Sequence, residues 1–313
     1  MKIPKEDIIN VKSWMGIGDC NYEIDHADDS TPESGVVYCN IEHIPDFFAK
    51  CKRTKNRYVV VSGFSDFGLA YQEEHPVAVD MLKILPFIQR QILGLGYNSL
   101  QIPARCDLDH CNIDDKYSIK CYMHTRATLP KIPENIVKWF LVNPMLEDPR
   151  IEPIPLGVGK DASQDIFETP LTTDKTGWLY LNWQDHTVER SELKSFYLST
   201  KPYWCTIVTE PKPFKDYLEE LSKHVFVLCP EGNGLDCYRI LEAIYLGCIP
   251  IVKDNPAMAY LENLPVVRVS SWSDINIDFL KNQANLIEQK EYSSNKIKFS
   301  FWMEQIEKSR SLL

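Results

Sequence analysis

No stretch of this chain approaches the ~20 consecutive apolar residues that a membrane helix needs, and its start, MKIPKEDIINVKSW, has no apolar core of the kind a secretory leader carries. The expectation is a soluble, cytoplasmic chain with no membrane span. No Asn-x-Ser/Thr acceptor occurs, and the 10 cysteines are scattered without a Cys-x-x-Cys pair. That scatter argues for reduced thiols rather than a disulfide framework. Lysine and arginine number 34 against 44 acidic residues, a net charge of −10, and no arginine-rich run appears. Nucleic acid and anionic membranes are therefore poor standing partners. Any anion site must be a local pocket inside an acidic protein. Internal repeats and low-complexity segments are also lacking.

What is present is enough for real cores: 313 residues, 44% of them apolar, suggest one large or two medium domains. Short apolar runs alternate with amphipathic stretches, as in a chain of βα units. In the first half the patterns predict strands at 36–39, 58–62, 120–124 and 139–143, with helices at 43–52 and 77–95. The run 151–157 is extended and rich in proline, and 161–176 is polar, which places a hinge there. Beyond it, strands are expected at 179–183, 205–208, 226–229 and 249–252, with helices at 189–198 and 212–223. Asp254-Asn255-Pro256 reads as a capped helix start, and the closing segment from Lys296 as a helix. The fold class implied is α/β.

Residues 226–252, FVLCPEGNGLDCYRILEAIYLGCIPIV, carry the most information. Two apolar runs flank a glycine-containing turn and a short helix. Gly232-Asn233-Gly234 can bring backbone N–H groups close to a ligand. Asp236 is a candidate N-cap. Ile240, Ala243, Ile244 and Gly247 fall on the core-facing side, leaving Tyr238, Arg239, Glu242 and Tyr245 on the other. Arg239 lies in the first helical turn, where a cation opposes the macrodipole. The Arg239/Glu242 pair runs in the poorer order, cation before anion, and as a surface pair is worth only about 0.2–0.5 kcal/mol. A bound phosphate accounts for Arg239, because helix N-terminal amides and guanidinium would both face it. Glu242, one turn on, could accept sugar hydroxyls. The plainer alternative is an exposed ion pair on an ordinary helix.

The run PEGNGLDCYRILEAIYLGCIPIV resembles the donor-binding segment of exostosin-type glycosyltransferases. Two further runs, WFLVNPMLEDPRIEPIPLGVG and WLYLNWQDHTVER, are similar to the end of the first domain and the start of the second in exostosin-like proteins of microbes and large algal viruses. The resemblance implies the GT-B architecture, two Rossmann-like domains facing a central cleft. It would divide the chain into an acceptor-side domain (1–165), a nucleotide-sugar donor domain (166–290) and a C-terminal helix (291–313) able to cross back to the first. It implies an inverting transfer of a sugar, with xylose one choice, from a nucleotide-diphosphate sugar, commonly UDP-linked, to a glycan hydroxyl. No other cofactor and no metal are implied. Eukaryotic exostosin-type enzymes are usually membrane proteins of the Golgi, so this chain departs from them, and the expectation is either a soluble cytoplasmic enzyme or a piece trimmed from a longer protein.

By resemblance, Arg190 contacts the donor diphosphate alongside Arg239; two guanidinium groups would offset the leaving charge. Gly157 and Gly232 to Gly234 would permit close backbone approach, and Lys253 could assist. A base must remove the acceptor's proton. Asp66, in a glycine-flanked loop after the strongest first-half strand, is the candidate; an Asx-turn is its plainer reading. His26, His75 and His124 are weaker candidates. Asp66-Phe67-Gly68 lacks the other kinase motifs. Gly232-Asn233-Gly234 lacks a third dinucleotide-type glycine. Cys106-Asp-Leu-Asp-His-Cys111 lacks a second zinc half-site. Asp107-Leu-Asp109 could hold a metal in a GT-A transferase, but no apolar strand leads into it. A silent glycan- or nucleotide-binding protein, the GT-A enzyme and a nicotinamide oxidoreductase stay open as rivals.

Overall fold

The computed structural model describes residues 2–25, 32–63, 70–71, 128–129, 132–144, 148–185, 187–232 and 234–313. The first half contributes β1 (Cys20–Asn21), α1 (Tyr22–Asp25), β2 (Gly35–Tyr38), α2 (Ile44–Cys51) and β3 (Tyr58–Ser62). A short parallel pair, β4 (Ala70–Tyr71) and β5 (Thr128–Leu129), precedes β6 (Ile136–Val142), β7 (Ile151–Ile154) and α3 (Ala162–Glu168). The second half runs β8 (Gly177–Leu181), α4 (Val188–Thr200), β9 (Cys205–Ile207), α5 (Phe214–Leu221) and β10 (His224–Leu228). It continues with α6 (Tyr238–Tyr245), β11 (Ile249–Lys253), β12 (Val267–Val269), α7 (Ile277–Glu288) and α8 (Phe299–Arg310).

Two five-stranded sheets result, ordered β1-β2-β3-β6-β7 and β12-β11-β10-β8-β9, and every pairing in both is parallel. Parallel strands covered on both faces must be apolar throughout, which is why runs such as Val59-Val60-Val61 are strands here. Successive side chains go to opposite faces. Val59 and Val61 join one core cluster while Tyr58 and Val60 join another, over α2. In the second sheet Val227 faces one way, and Phe226 and Leu228 pack the other way with Leu193 of α4 and Leu280 of α7.

The cluster containing Val59 and Val227 is continuous from the first sheet, through the N-terminal segment and α8, to α5 and α6 under the second sheet. Trp14 is its pivot. It is fully buried, makes edge contacts with Phe299 and Trp302 of α8 at 5.8 and 6.5 Å, and donates from Nε1 to Pro155 O at 2.9 Å. An isolated antiparallel bridge joins Ile8 to Lys298. The last helix thus packs against elements of the first sheet.

Several expectations need correcting. The polar stretch read as a hinge contains α3, whose Ala162 and Ile166 are buried. The proline-rich run after residue 150 is extended, as read, but as strand β7 at the edge of its sheet and not as a hinge; at that edge Pro153 can sit without a donor. Asn255-Pro256 opens a 3-10 helix, Pro256–Leu261, with no side-chain cap bond. The strand expected at 120–124, the helix expected at 77–95, and Asp66, His26, His75, His124, Asn233 and 106–111 lie outside the described residues.

Candidate functional site

In the second sheet β8 lies between β9 and β10, so the winding reverses between β8 and β10. The carboxyl ends of the strands at such a switch point leave a crevice where ligands bind. The loop after β8 leads into α4, and the loop after β10 leads into α6. Each loop delivers one arginine.

Arg190 is placed by the start of α4. Thr187, the N-cap, accepts from Arg190 N–H at 3.2 Å, and Trp183 Nε1 donates to Arg190 O at 3.1 Å. The side chain is buried and its Nη2 donates to Pro230 O at 3.1 Å. It is therefore not a surface charge on α4. Gly232 makes the room: a Cβ there would stand 3.0 Å from Arg190 Nη2, and Gly232 N–H donates to Gly234 O at 3.0 Å. The glycine loop after β10 is shaped around Arg190.

Arg239 is the second residue of α6, in its first turn. Its Nε and Nη1 are buried and have no hydrogen-bond partner among the described residues. Burial works against the charge, but Tyr217, Cys237, Cys229 and Glu242 around it more than offset that and hold the guanidinium protonated. A buried donor left unmatched costs roughly 1–3 kcal/mol, more for a charged group. Buried polar groups are nearly always matched. Two such donors on one cation leave room for an acceptor, which an anion at the helix start would supply.

Glu242 sits one turn further, buried, where its carboxylate accepts from the Tyr217 hydroxyl at 2.6 Å. Burial raises its pKa, opposed by the Tyr217 bond and the charge of Arg239. Tyr238 packs half-buried against the core.

Asp236 is not the helix cap. Cys237 holds that position, without a side-chain cap bond. Asp236 turns away: its Oδ2 accepts from Leu156 N–H and from the Tyr260 hydroxyl, both at 2.9 Å, and its own N–H donates to Asn143 Oδ1 at 2.7 Å. Leu156 follows β7 and Asn143 follows β6, so this carboxylate ties the glycine loop to the carboxyl ends of the first sheet. Burial pushes its pKa up to about 7. Asn143 adopts a left-handed backbone, φ 56°, which asparagine tolerates better than most residues.

Two further candidates are occupied by the fold itself. Lys253 pairs with Glu189 at the start of α4, its Nζ lying 5.9 Å from the Trp272 ring centre. Gly157 has φ +91°, and a Cβ there would come within 2.7 Å of the Asn10 backbone. The close approach it permits is that of the N-terminal segment. Among the described residues no group of three or more His, Cys, Asp or Glu could hold a metal ion.

Sequence reasoning missed Tyr217, Asn143 and Tyr260, which position Glu242 and Asp236. Their partners are distant in the chain, so no local spacing marks them. Asn143-Pro144 was the one signal, an Asn-Pro turn at a strand end.

The fold and crevice define an α/β protein of two parallel sheets with a buried cationic site at the switch point of the second. Residues 185–310 match the family model described as the RXYLT1 C-terminal domain. The match points to xylosyltransferase-type, exostosin-like glycosyltransferases, and the matched span holds both arginines, the glycine loop and Glu242. Among the described residues no helix is long and apolar enough to cross a membrane.

Proposed function

We propose that this chain is an inverting GT-B glycosyltransferase that moves a sugar, xylose being the first choice, from a nucleotide-diphosphate sugar to a glycan hydroxyl. The observation that carries the reading is the buried Arg239 guanidinium whose Nε and Nη1 lack partners among the described residues. A diphosphate oxygen is the acceptor that those donors and the N-terminal amides of α6 would share. Arg190, across the glycine loop, would add a second cation, so that charge developing on the departing diphosphate meets donors already fixed in place. Glu242, braced by Tyr217, would hold donor hydroxyls, and Asp66 would take the acceptor proton. The xylosyltransferase-type match over 185–310 supports the sugar class.

The test has two arms. UDP at a hundred times its Kd should raise stability by about 2.7 kcal/mol, read as a thermal shift. Arg239→Ala should abolish that shift while remaining folded by circular dichroism. With UDP-xylose and a glycan acceptor, Asp66→Asn should bind UDP as before but lose turnover. If wild-type protein shows no shift with any nucleotide diphosphate, the reading is wrong.

A further inference from the structure

Asn182 directly follows β8, at the carboxyl end that forms one flank of the crevice, and the proposed transfer gives it no task. Its Nδ2 donates to the Tyr180 hydroxyl at 3.2 Å. Glu220 Oε2 of α5 accepts from that hydroxyl at 2.8 Å and from Lys212 Nζ at 2.7 Å. The direction of this chain is fixed from its far end. Burial works against the charge of Glu220, but Lys212 and Tyr180 hold its pKa below the ordinary value, so it is a carboxylate and can only accept. Burial raises the pKa of Tyr180, so its hydroxyl keeps its single proton, which goes to Glu220. What Tyr180 offers Asn182 is a lone pair. The amide must turn its N–H groups toward Tyr180, and its Oδ1 is left without a hydrogen bond among the described residues.

This chain runs beside the anion site. The Tyr180 and Tyr217 rings lie 6.1 Å apart, and Tyr217 donates to Glu242. Both tyrosines belong to the core cluster that also holds Ile240 and Ala243 of α6. Tyr180 therefore fixes Asn182 as Tyr217 fixes Glu242, on the same face of the second sheet. We propose that Asn182 is a donor-recognition residue whose Oδ1 accepts a hydrogen bond from a sugar hydroxyl of the nucleotide-diphosphate sugar, from the β8 side of the crevice. The assignment rests on the functional reading above and names a specificity residue for it. A freely turning amide accepts or donates equally well. A locked one demands a donor, so a ligand lacking that hydroxyl leaves Oδ1 unmatched and binds more weakly. The hydroxyl belongs to the ribose or to the transferred sugar, and titration separates the two.

Binding to wild type, Asn182→Ala and Tyr180→Phe is measured by calorimetry, with the folding of each variant checked by circular dichroism. The ligands are UDP, its two analogues that each lack one ribose hydroxyl, and UDP-xylose. Asn182→Ala should lose about three- to tenfold in affinity, the worth of one hydrogen bond, for ligands that carry the recognised hydroxyl and nothing for those that lack it. A ribose contact shows as a loss with UDP that vanishes for one of the two analogues. A contact to the transferred sugar shows as a loss with UDP-xylose that UDP does not share. Tyr180→Phe keeps the ring but frees the amide to turn, and should show the same ligand dependence at smaller amplitude. Equal losses for all the ligands mean a merely structural role and overturn the assignment, as does unchanged affinity for all of them. Tyr180→Phe binding every ligand as wild type does refutes the orienting chain. If wild type binds none of the ligands, the functional reading fails and the assignment with it; a flat pattern against a wild type that binds UDP removes the assignment alone.

Discussion

At the scale of single residues, two buried charges invite measurement. Arg239→Lys keeps a positive charge but loses the planar fork that matches phosphate oxygens. Loss of one preorganised donor at a developing charge costs about 10²–10³-fold in kcat. Arg239→Lys should fall in that range in a transfer assay, with melting temperature little changed. Asp236 makes a prediction of opposite kind. Its carboxyl is lifted by burial to about 7, against roughly 3.9 in an unfolded chain. The folded protein then holds the proton more tightly than the unfolded one between those values. Asp236 therefore adds stability that is fully present below about pH 4 and is lost as pH rises toward 7. Urea midpoints measured from pH 4 to 8 should decline across that window, and Asp236→Asn should flatten the decline. An equal slope in the variant would locate the effect elsewhere. Arg239 was legible from sequence because its charge sits at the wrong end of its helix. Asp236 was misread for the reverse reason: its position suits an N-cap so well that nothing local hints at partners on Asn143, Leu156 and Tyr260.

At the scale of elements, the buried strands were the most legible features. A strand covered on both faces has no choice of composition, so β3, β8, β10 and β11 announce themselves as apolar runs. Helix starts were less legible because a cap depends on one bond. Thr187 is a case where that bond forms: it accepts from the N–H of Arg190, so the same contact that starts α4 also sets the root of a site residue. Thr187→Ala should cost about 1 kcal/mol of stability and should weaken UDP binding by more than that loss alone explains. Comparing the thermal shift of apo and UDP-saturated variant separates the two effects. An apo destabilisation with unchanged UDP affinity would mean that Trp183 and Pro230 fix Arg190 without the cap. The helix within 161–176 was illegible because its polar face dominates, and of the helical residues 162–168 only Ala162 and Ile166 are buried.

At the scale of the whole molecule, what sequence could not supply was the joining of the two sheets. Period-two alternation says which side chains share a face, not which faces meet. One cluster runs from Val59 through Trp14 and Trp302 to Val227. The Asp236 bonds reinforce that union at the crevice, close to the arginines. The two sheets are therefore expected to unfold as one unit, not as independent domains, because separating them would open this core and strand Asp236 without its partners. Trp14→Ala tests the point. Removing a fully buried indole costs about 3–5 kcal/mol, and it also deletes the ring contacts to Phe299 and Trp302 and the bond to Pro155. In wild type, far-ultraviolet circular dichroism and tryptophan fluorescence should report one coincident urea transition. In Trp14→Ala the transition should move to lower urea, and UDP should still raise its midpoint, because the residues proposed to bind it, Arg190, Arg239 and Glu242, belong to the second-sheet unit. Two resolved transitions in the wild-type protein, with UDP shifting only one of them, would show that the shared core does not couple the sheets.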